Sequence, residues 1–126
     1  GICGLVPGVK GFSENIRIRS ILGRYLEHSR IYYFENKGDE PVILVGSADW
    51  MPRNFFSRIE AIFPIENTNM IERIKEILGI YLKDNEFAKT LEADGSYKTP
   101  RSHKKKPRFS AQGHLAEIAS STKPKN

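Results

Sequence analysis

Over the first ninety residues the apolar positions fall into short runs broken by turn residues, with one longer stretch at helical spacing. Ile2 to Val6 reads as the end of a buried strand, and Pro7-Gly8 with Gly11 marks the loop behind it. From Ile16 to Leu26 the apolar residues start in alternation and shift to helical spacing, which predicts a strand passing into a short helix. Arg30 to Glu35 and Val42 to Gly46 are rich in Ile, Val and Tyr, and Asn36-Lys37-Gly38-Asp39 between them has the turn chemistry of a hairpin. A further strand is predicted over Arg58 to Ile65, ending at a proline-containing edge. Asn67 to Leu82 places Met70, Ile71, Ile74, Ile77, Leu78, Tyr81 and Leu82 at helical spacing, with Asn69 and Glu72 related as in a capping box. That pattern predicts an amphipathic helix packed on a sheet. Asn85 to Leu91 predicts one more strand, Asp94-Gly95-Ser96 a turn, and Leu115 to Ala119 a brief terminal helix that docks back onto the body. The mixed order argues for an α/β domain whose mixed sheet is flanked by helices.

Composition narrows the class. A chain of 126 residues, 39% hydrophobic and 28% charged, suits one compact domain, and no apolar stretch reaches the roughly 18 residues a membrane helix needs. The sequence starts at Gly1 directly on an apolar run, without a basic leader, and reads as a fragment. Cys3 is the single cysteine, so no intramolecular disulfide can form; this fits a reducing cytoplasm and predicts a small packed apolar side chain.

The net charge of +5 is unevenly spread. Residues 97–126 carry eight Lys and Arg against the single acid Glu117, whereas residues 1–96 carry twelve basic and fourteen acidic side chains. A near-neutral body, residues 1–96, is thus followed by a basic extension, residues 97–126. Such an extension could meet a polyanion. Its Ser, Pro and Lys content favours the plainer reading of a solvated, partly disordered segment.

Candidate chemistry lies in the middle of the chain. Glu27-His28-Ser29-Arg30 opens the first hairpin strand and Val45-Gly46-Ser47-Ala48-Asp49-Trp50 closes the second, so the turn brings the two together. His28 and Arg30, two residues apart, share a strand face, with Ser47 and Asp49 expected nearby on the partner. Phosphoryl transfer requires chiefly positioning and charge neutralisation, which a His beside an Arg on a rigid strand can supply. Arg53 and Arg58 add guanidinium forks that suit phosphate oxygens. Each residue has a plainer alternative: a His at a strand start is more often structural, Trp50 would be a core anchor, and the arginines solvated charges. His103 and His114 fall in the basic extension, where exposure is expected and metal-ligand spacing is lacking. Neither a Walker phosphate loop nor a dinucleotide fingerprint occurs.

Four blocks carry a resemblance: Gly1-Ile2-Cys3-Gly4-Leu5-Val6-Pro7-Gly8, Ser13-Glu14-Asn15-Ile16-Arg17, Glu27-His28-Ser29-Arg30-Ile31-Tyr32 and Gly46-Ser47-Ala48-Asp49-Trp50-Met51-Pro52-Arg53-Asn54. Together they resemble the last domain of the long, phosphohistidine-forming polyphosphate kinases, from Gly1 to about Leu91, with a weaker echo to Ala119. The resemblance implies a phospholipase D-like half-domain. It further implies reversible transfer of the terminal phosphoryl group of ATP to inorganic polyphosphate in a larger, multidomain and homo-oligomeric enzyme. Partners are then polyphosphate, ATP and ADP, and the remaining domains; Mg2+ is expected in the full enzyme, without an identified ligand in this chain. The location implied is cytoplasmic, with membrane association left open for the full-length enzyme.

In that family the phosphorylated histidine lies in the preceding domain. His28 therefore matches a second active-site histidine that supports the transition state or proton transfer, and Arg58 matches a position contacting nucleotide phosphates. Arg30, Ser47 and Asp49 complete the expected phosphate-binding set. The phospholipase D signature has Lys where this chain has Arg30 and Asn where it has Asp49, which weakens a phosphodiesterase reading. Two alternatives stay open at this point: a phospholipase D-like phosphodiesterase half, and a non-catalytic polyanion-binding module using the basic extension. On the kinase reading the chain alone is expected to be inactive.

Overall fold

The computed structural model describes residues 4–100 and 107–121. The described residues divide into two compact units, His28–Leu78 forming one and Gly1–Glu27 with Gly79–Asn126 the other. The element order is β1 (Ile18–Ile21), β2 (Ile31–Phe34), β3 (Val42–Gly46), α1 (Pro52–Phe56), β4 (Ile62–Pro64), α2 (Thr68–Lys83), β5 (Ala88–Leu91), β6 (Tyr97–Lys98) and α3 (Ala111–Ser121). The chain is α/β as expected. The anticipated mixed sheet is replaced among the described residues by two three-stranded antiparallel sheets, ordered β2-β3-β4 and β1-β5-β6. Hairpin signals are local and legible, whereas the pairing of Ile18 with Leu91 joins segments whose partners no local pattern announces.

In the His28–Leu78 unit the hairpin forms where the turn chemistry placed it. Asn36 and Lys37 adopt φ of 58° and 49°, a region that Asn tolerates better than most residues, and Asp39 N–H closes the turn on the Asn36 carbonyl at 3.2 Å. β2 and β3 pair from Ile31 with Val45 to Phe34 with Val42. Ile43 and Ala48 are the buried apolar side chains of this unit. The strand expected over Arg58 to Ile65 shrinks to Ile62–Pro64, the three residues that pair with Leu44 to Gly46 before β3 ends, and residues 52–56 form the short helix α1 ahead of it. Pro52 at the first helical position explains that start, since its missing N–H would be unpaired there anyway.

The second unit has its own small core in Ile80, Ala88, Leu91 and Ala111. α2, whose first part belongs to the other unit, is capped by Asn67, whose Oδ1 accepts from Met70 N–H at 3.2 Å, and not by the Asn69–Glu72 pair. No helix follows β1; residues 23–25 are bends. Gly4 to Val6 form no strand, and the rest of that expected segment, with Cys3, lies outside the described residues. α3 is much longer than the Leu115 to Ala119 expected. His114 is half-buried, with its ring 5.3 Å from that of Phe109, instead of exposed. His103 lies outside the described residues.

Asp84, fully buried, ties this unit together. Its Oδ1 accepts from the backbone N–H groups of Glu86, Phe87 and Ala88 at 3.1, 2.8 and 2.9 Å, and its Oδ2 from that of Ala111 at 2.7 Å. Four donors thereby satisfy one carboxylate and join the entry to β5 with the start of α3.

Candidate active site

The strand pairing sets the geometry. Gly46 N–H donates to the Arg30 carbonyl at 3.2 Å, so Arg30 stands opposite Gly46, and β3 ends there. A continued strand would turn Ser47 to the face opposite Arg30. The chain instead leaves β3, and Asp49 swings back to accept from Arg30 Nε at 2.8 Å. Arg30, with 17% of its side chain exposed, places Nη1 3.0 Å from His28 Nδ1 and Nη2 2.9 Å from His28 Nε2; Nη1 also donates to the His28 carbonyl at 3.2 Å. A neutral imidazole has one acceptor nitrogen, so one of the two ring approaches is a hydrogen bond. His28 is thus held by Arg30, which is held by Asp49.

The electrostatics follow from this contact. The Arg30 hydrogen bond is the chief reason that the Asp49 carboxyl titrates below the usual carboxylate range, with the charges of Arg30, His28 and Arg53 acting in the same direction against desolvation. The same bond raises Arg30 above its ordinary value. Asp49 therefore stays anionic at neutral pH.

The other expected residues sit differently. Ser47 donates to Glu60 Oε2 at 2.5 Å and accepts from Ala61 N–H at 3.1 Å. Arg58 is exposed, its Nε 3.2 Å from Glu60 Oε1. His28, Arg30 and Ser47, together with Gly46 and Phe63, line an open groove of about 450 Å³. Asp49 stands behind Arg30 and Arg58 outside that lining. Trp50 is no core anchor: it is 79% exposed, with its ring 6.1 Å from Tyr32.

Two residues escaped the sequence reading. Glu60 grips both Ser47 and Arg58, and the spacing of two from Arg58 on an extended segment was the available signal. Tyr32 donates through its hydroxyl to the Ala48 carbonyl at 2.9 Å and fixes the loop leading to Asp49. Gly46 also has a local reason: a Cβ there would lie 2.3 Å from the Ala61 carbonyl oxygen, so only glycine lets β4 approach.

Taken together, the mixed α/β chain presents a guanidinium-buttressed imidazole beside an open groove, as expected of a phospholipase D-like half-domain. The profile of the family "Polyphosphate kinase C-terminal domain 2" matches residues 1–112, and the chain belongs to that family. Similar curated proteins, each called polyphosphate kinase, come from Pseudomonas aeruginosa and Synechocystis, at 56% and 54% identity over 97 residues, 77% of this chain. One from Paraburkholderia phytofirmans is 53% identical over 102 residues, 80% of the chain. These alignments span only 14%, 13% and 15% of those relatives, respectively. The crystal structure of polyphosphate kinase from Porphyromonas gingivalis superposes with a TM-score of 0.85 at 36% identity, over 96% of this chain and 18% of that one.

Proposed function

We propose that this chain supplies the phosphate-binding half of the catalytic cleft in a polyphosphate kinase, an enzyme that reversibly transfers the terminal phosphoryl group of ATP to inorganic polyphosphate. The observation that carries the reading is the His28–Arg30–Asp49 relay beside the groove, in a chain of this family. Phosphoryl transfer spreads negative charge over the transferred group, so a cleft performs it by positioning and neutralising that charge. His28 gives or takes a proton at the phosphate edge through the ring nitrogen that Arg30 does not hold by a hydrogen bond. Arg30 orients His28 and has further N–H donors for a phosphate oxygen, since a guanidinium carries five. Asp49 has the wrong sign to meet phosphate and serves by holding Arg30. Arg58, exposed and steered by Glu60, is the second fork, and Ser47 fixes Glu60.

The phosphorylated histidine and the remaining domains belong to the rest of the enzyme, which is cytoplasmic and homo-oligomeric on this reading. Among the described residues no helix is long and apolar enough to cross a membrane. Mg2+ accompanies ATP in such reactions, but among the described residues no three His, Cys, Asp or Glu side chains converge, and Asp49 and Glu60 are engaged with Arg30, Ser47 and Arg58. These residues do not fit a metal site.

Arg58→Ala in the complete enzyme tests the reading. Loss of a charge-assisted hydrogen bond of about 1.5–3 kcal/mol should raise KM for ATP or polyphosphate by roughly ten- to a hundredfold, with folding little changed. Unchanged KM values for both substrates would remove Arg58 from the cleft.

A further inference from the structure

Asp49 reaches Arg30 from a loop beyond the end of β3 at Gly46, where no strand ladder holds it. The peptide that joins Ala48 to Asp49 is held instead by side chains on both of its edges. Its carbonyl, that of buried Ala48, accepts from the Tyr32 hydroxyl at 2.9 Å, and its N–H, that of Asp49, donates to Asn54 Oδ1 at 3.4 Å. Met51 N–H donates to the Asp49 carbonyl at 2.8 Å and Asn54 N–H to the Met51 carbonyl at 2.9 Å, so the turn that carries Asn54 closes back on the same residue. Asn54 is buried, and its Nδ2 is the one buried side-chain polar atom without a hydrogen-bond partner among the described residues. All of these residues lie with His28 and Arg30 in the single unit His28–Leu78.

A buried amide donor left unpaired costs free energy that an apolar side chain would not incur. Stability therefore does not account for an amide at position 54, whereas its Oδ1 accepts from Asp49 as no apolar side chain can. We propose that Tyr32 and Asn54 are positioning residues that act on the Arg30–Asp49 pair, and through it on His28. A trans peptide is planar, with its carbonyl and N–H on opposite sides. Bonds on both sides keep it from rotating or withdrawing, so Asp49 starts from one place. Its carboxylate then meets Arg30 Nε at 2.8 Å, and the guanidinium, with that edge fixed, sets the His28 ring through approaches of 3.0 and 2.9 Å. Tyr32 presents its hydroxyl from β2, where it pairs with Leu44, and so from a rigid element. Without the two bonds the segment from Ala48 to Met51 would sample other conformations, in which Arg30 loses its anionic anchor. Reactions that depend on placement lose about a hundredfold for a displacement on the order of 1 Å. The proposal rests on the reading of His28 as an active-site residue.

The experiment uses the complete enzyme that carries this chain, with ATP and polyphosphate as substrates. Tyr32→Phe, which keeps the ring and removes only the hydroxyl, should lower kcat by about tenfold and Asn54→Ala by about five- to tenfold, each raising KM for ATP by no more than about threefold. Hydrogen exchange at the Asp49 amide should quicken by roughly two- to fivefold in Tyr32→Phe, although the hydroxyl bonds the other edge of that peptide. In an Asp49→Ala background, itself slowed, neither substitution should lower kcat by more than about twofold further. Ile43→Val, which loosens the same unit from its buried core without touching this peptide, should leave kcat within about twofold. Unaltered kcat in Tyr32→Phe or in Asn54→Ala overturns the proposal with the site reading intact, as does a full further loss on top of Asp49→Ala or an equal loss in Ile43→Val. If His28→Ala turns over normally, the site reading itself fails and the positioning role with it, and that single variant tells the two failures apart.

Discussion

Replacing Asp84 with Ala should be among the most damaging single changes in this chain, and its cost can be worked from the contacts. The carboxylate accepts four backbone N–H bonds, two of which, from Ala88 and Ala111, involve donors that are themselves buried. A buried donor left without a partner costs about 1–3 kcal/mol. The two buried donors alone therefore contribute roughly 2–6 kcal/mol, before counting the void left at a fully buried position. This is a large fraction of the 5–15 kcal/mol by which a typical domain is stable. Because Ala88 opens β5 and Ala111 opens α3, the loss is local to the unit that holds both. In the complete enzyme, hydrogen exchange at the Ala88 and Ala111 amides should accelerate by about one and a half to four orders of magnitude. Asp84→Asn separates the two arms: its carbonyl can keep the Glu86–Ala88 donors, but its amide cannot accept from Ala111, so exchange should rise at Ala111 and stay slow at Ala88. Wild-type exchange at both amides in Asp84→Ala would refute the reasoning.

Three further outcomes follow from the other unit. Gly46→Ala forces a Cβ against the Ala61 carbonyl at 2.3 Å and should cost about 1–3 kcal/mol, seen as faster exchange of the Ser47 amide that donates to that carbonyl; an unchanged rate would show that β4 can yield. Asp49 titrates below its ordinary value, so the Arg30–Asp49 contribution is fully present above the unfolded carboxylate pKa of about 3.9 and fades as the pH falls through the lower folded value. Acid unfolding of this unit should therefore shift to higher pH in Asp49→Asn at constant ionic strength, and an unshifted midpoint would show that the pair contributes nothing. Glu60→Gln keeps an acceptor for Ser47 but removes the carboxylate that steers Arg58, so KM for the anionic substrates should rise while melting changes by less than about 1 kcal/mol; a lowered KM would mean that Glu60 repels phosphate more than it steers Arg58.

Much of this was readable in the residues because it was local. The hairpin announced itself through Asn36-Lys37-Gly38-Asp39, α2 through its apolar spacing, and the turn at Asp94-Gly95-Ser96 through its composition. The elements that escaped depend on distant partners. β6, two residues long, exists through pairing with β5, and the extra turns of α3 start on Asp84, twenty-seven residues away. At the site, the two-residue spacing of His28 and Arg30 was legible, although both precede β2 instead of lying on it. Strand alternation could not foresee that β3 would stop at Gly46 and send Asp49 back to Arg30, since the loop is shaped by the Tyr32 hydroxyl on Ala48 and by Asn54, whose Oδ1 lies 3.4 Å from the Asp49 nitrogen. Nor did a near-neutral count of charges show that Glu60 would pair with Arg58 while its side chain stays exposed.

The most direct test of the account is turnover of His28→Ala in the complete enzyme, with thermal melting measured on the same preparation. A group that moves a proton in the transition state contributes about two to four orders of magnitude in rate, whereas replacing an exposed polar side chain usually changes stability by roughly half a kcal/mol. The account predicts a loss of at least about a hundredfold in kcat for polyphosphate synthesis with a melting temperature close to that of the unaltered enzyme. Near-normal turnover in a well-folded His28→Ala enzyme would contradict it, and would leave the His28–Arg30–Asp49 relay a structural feature of the hairpin.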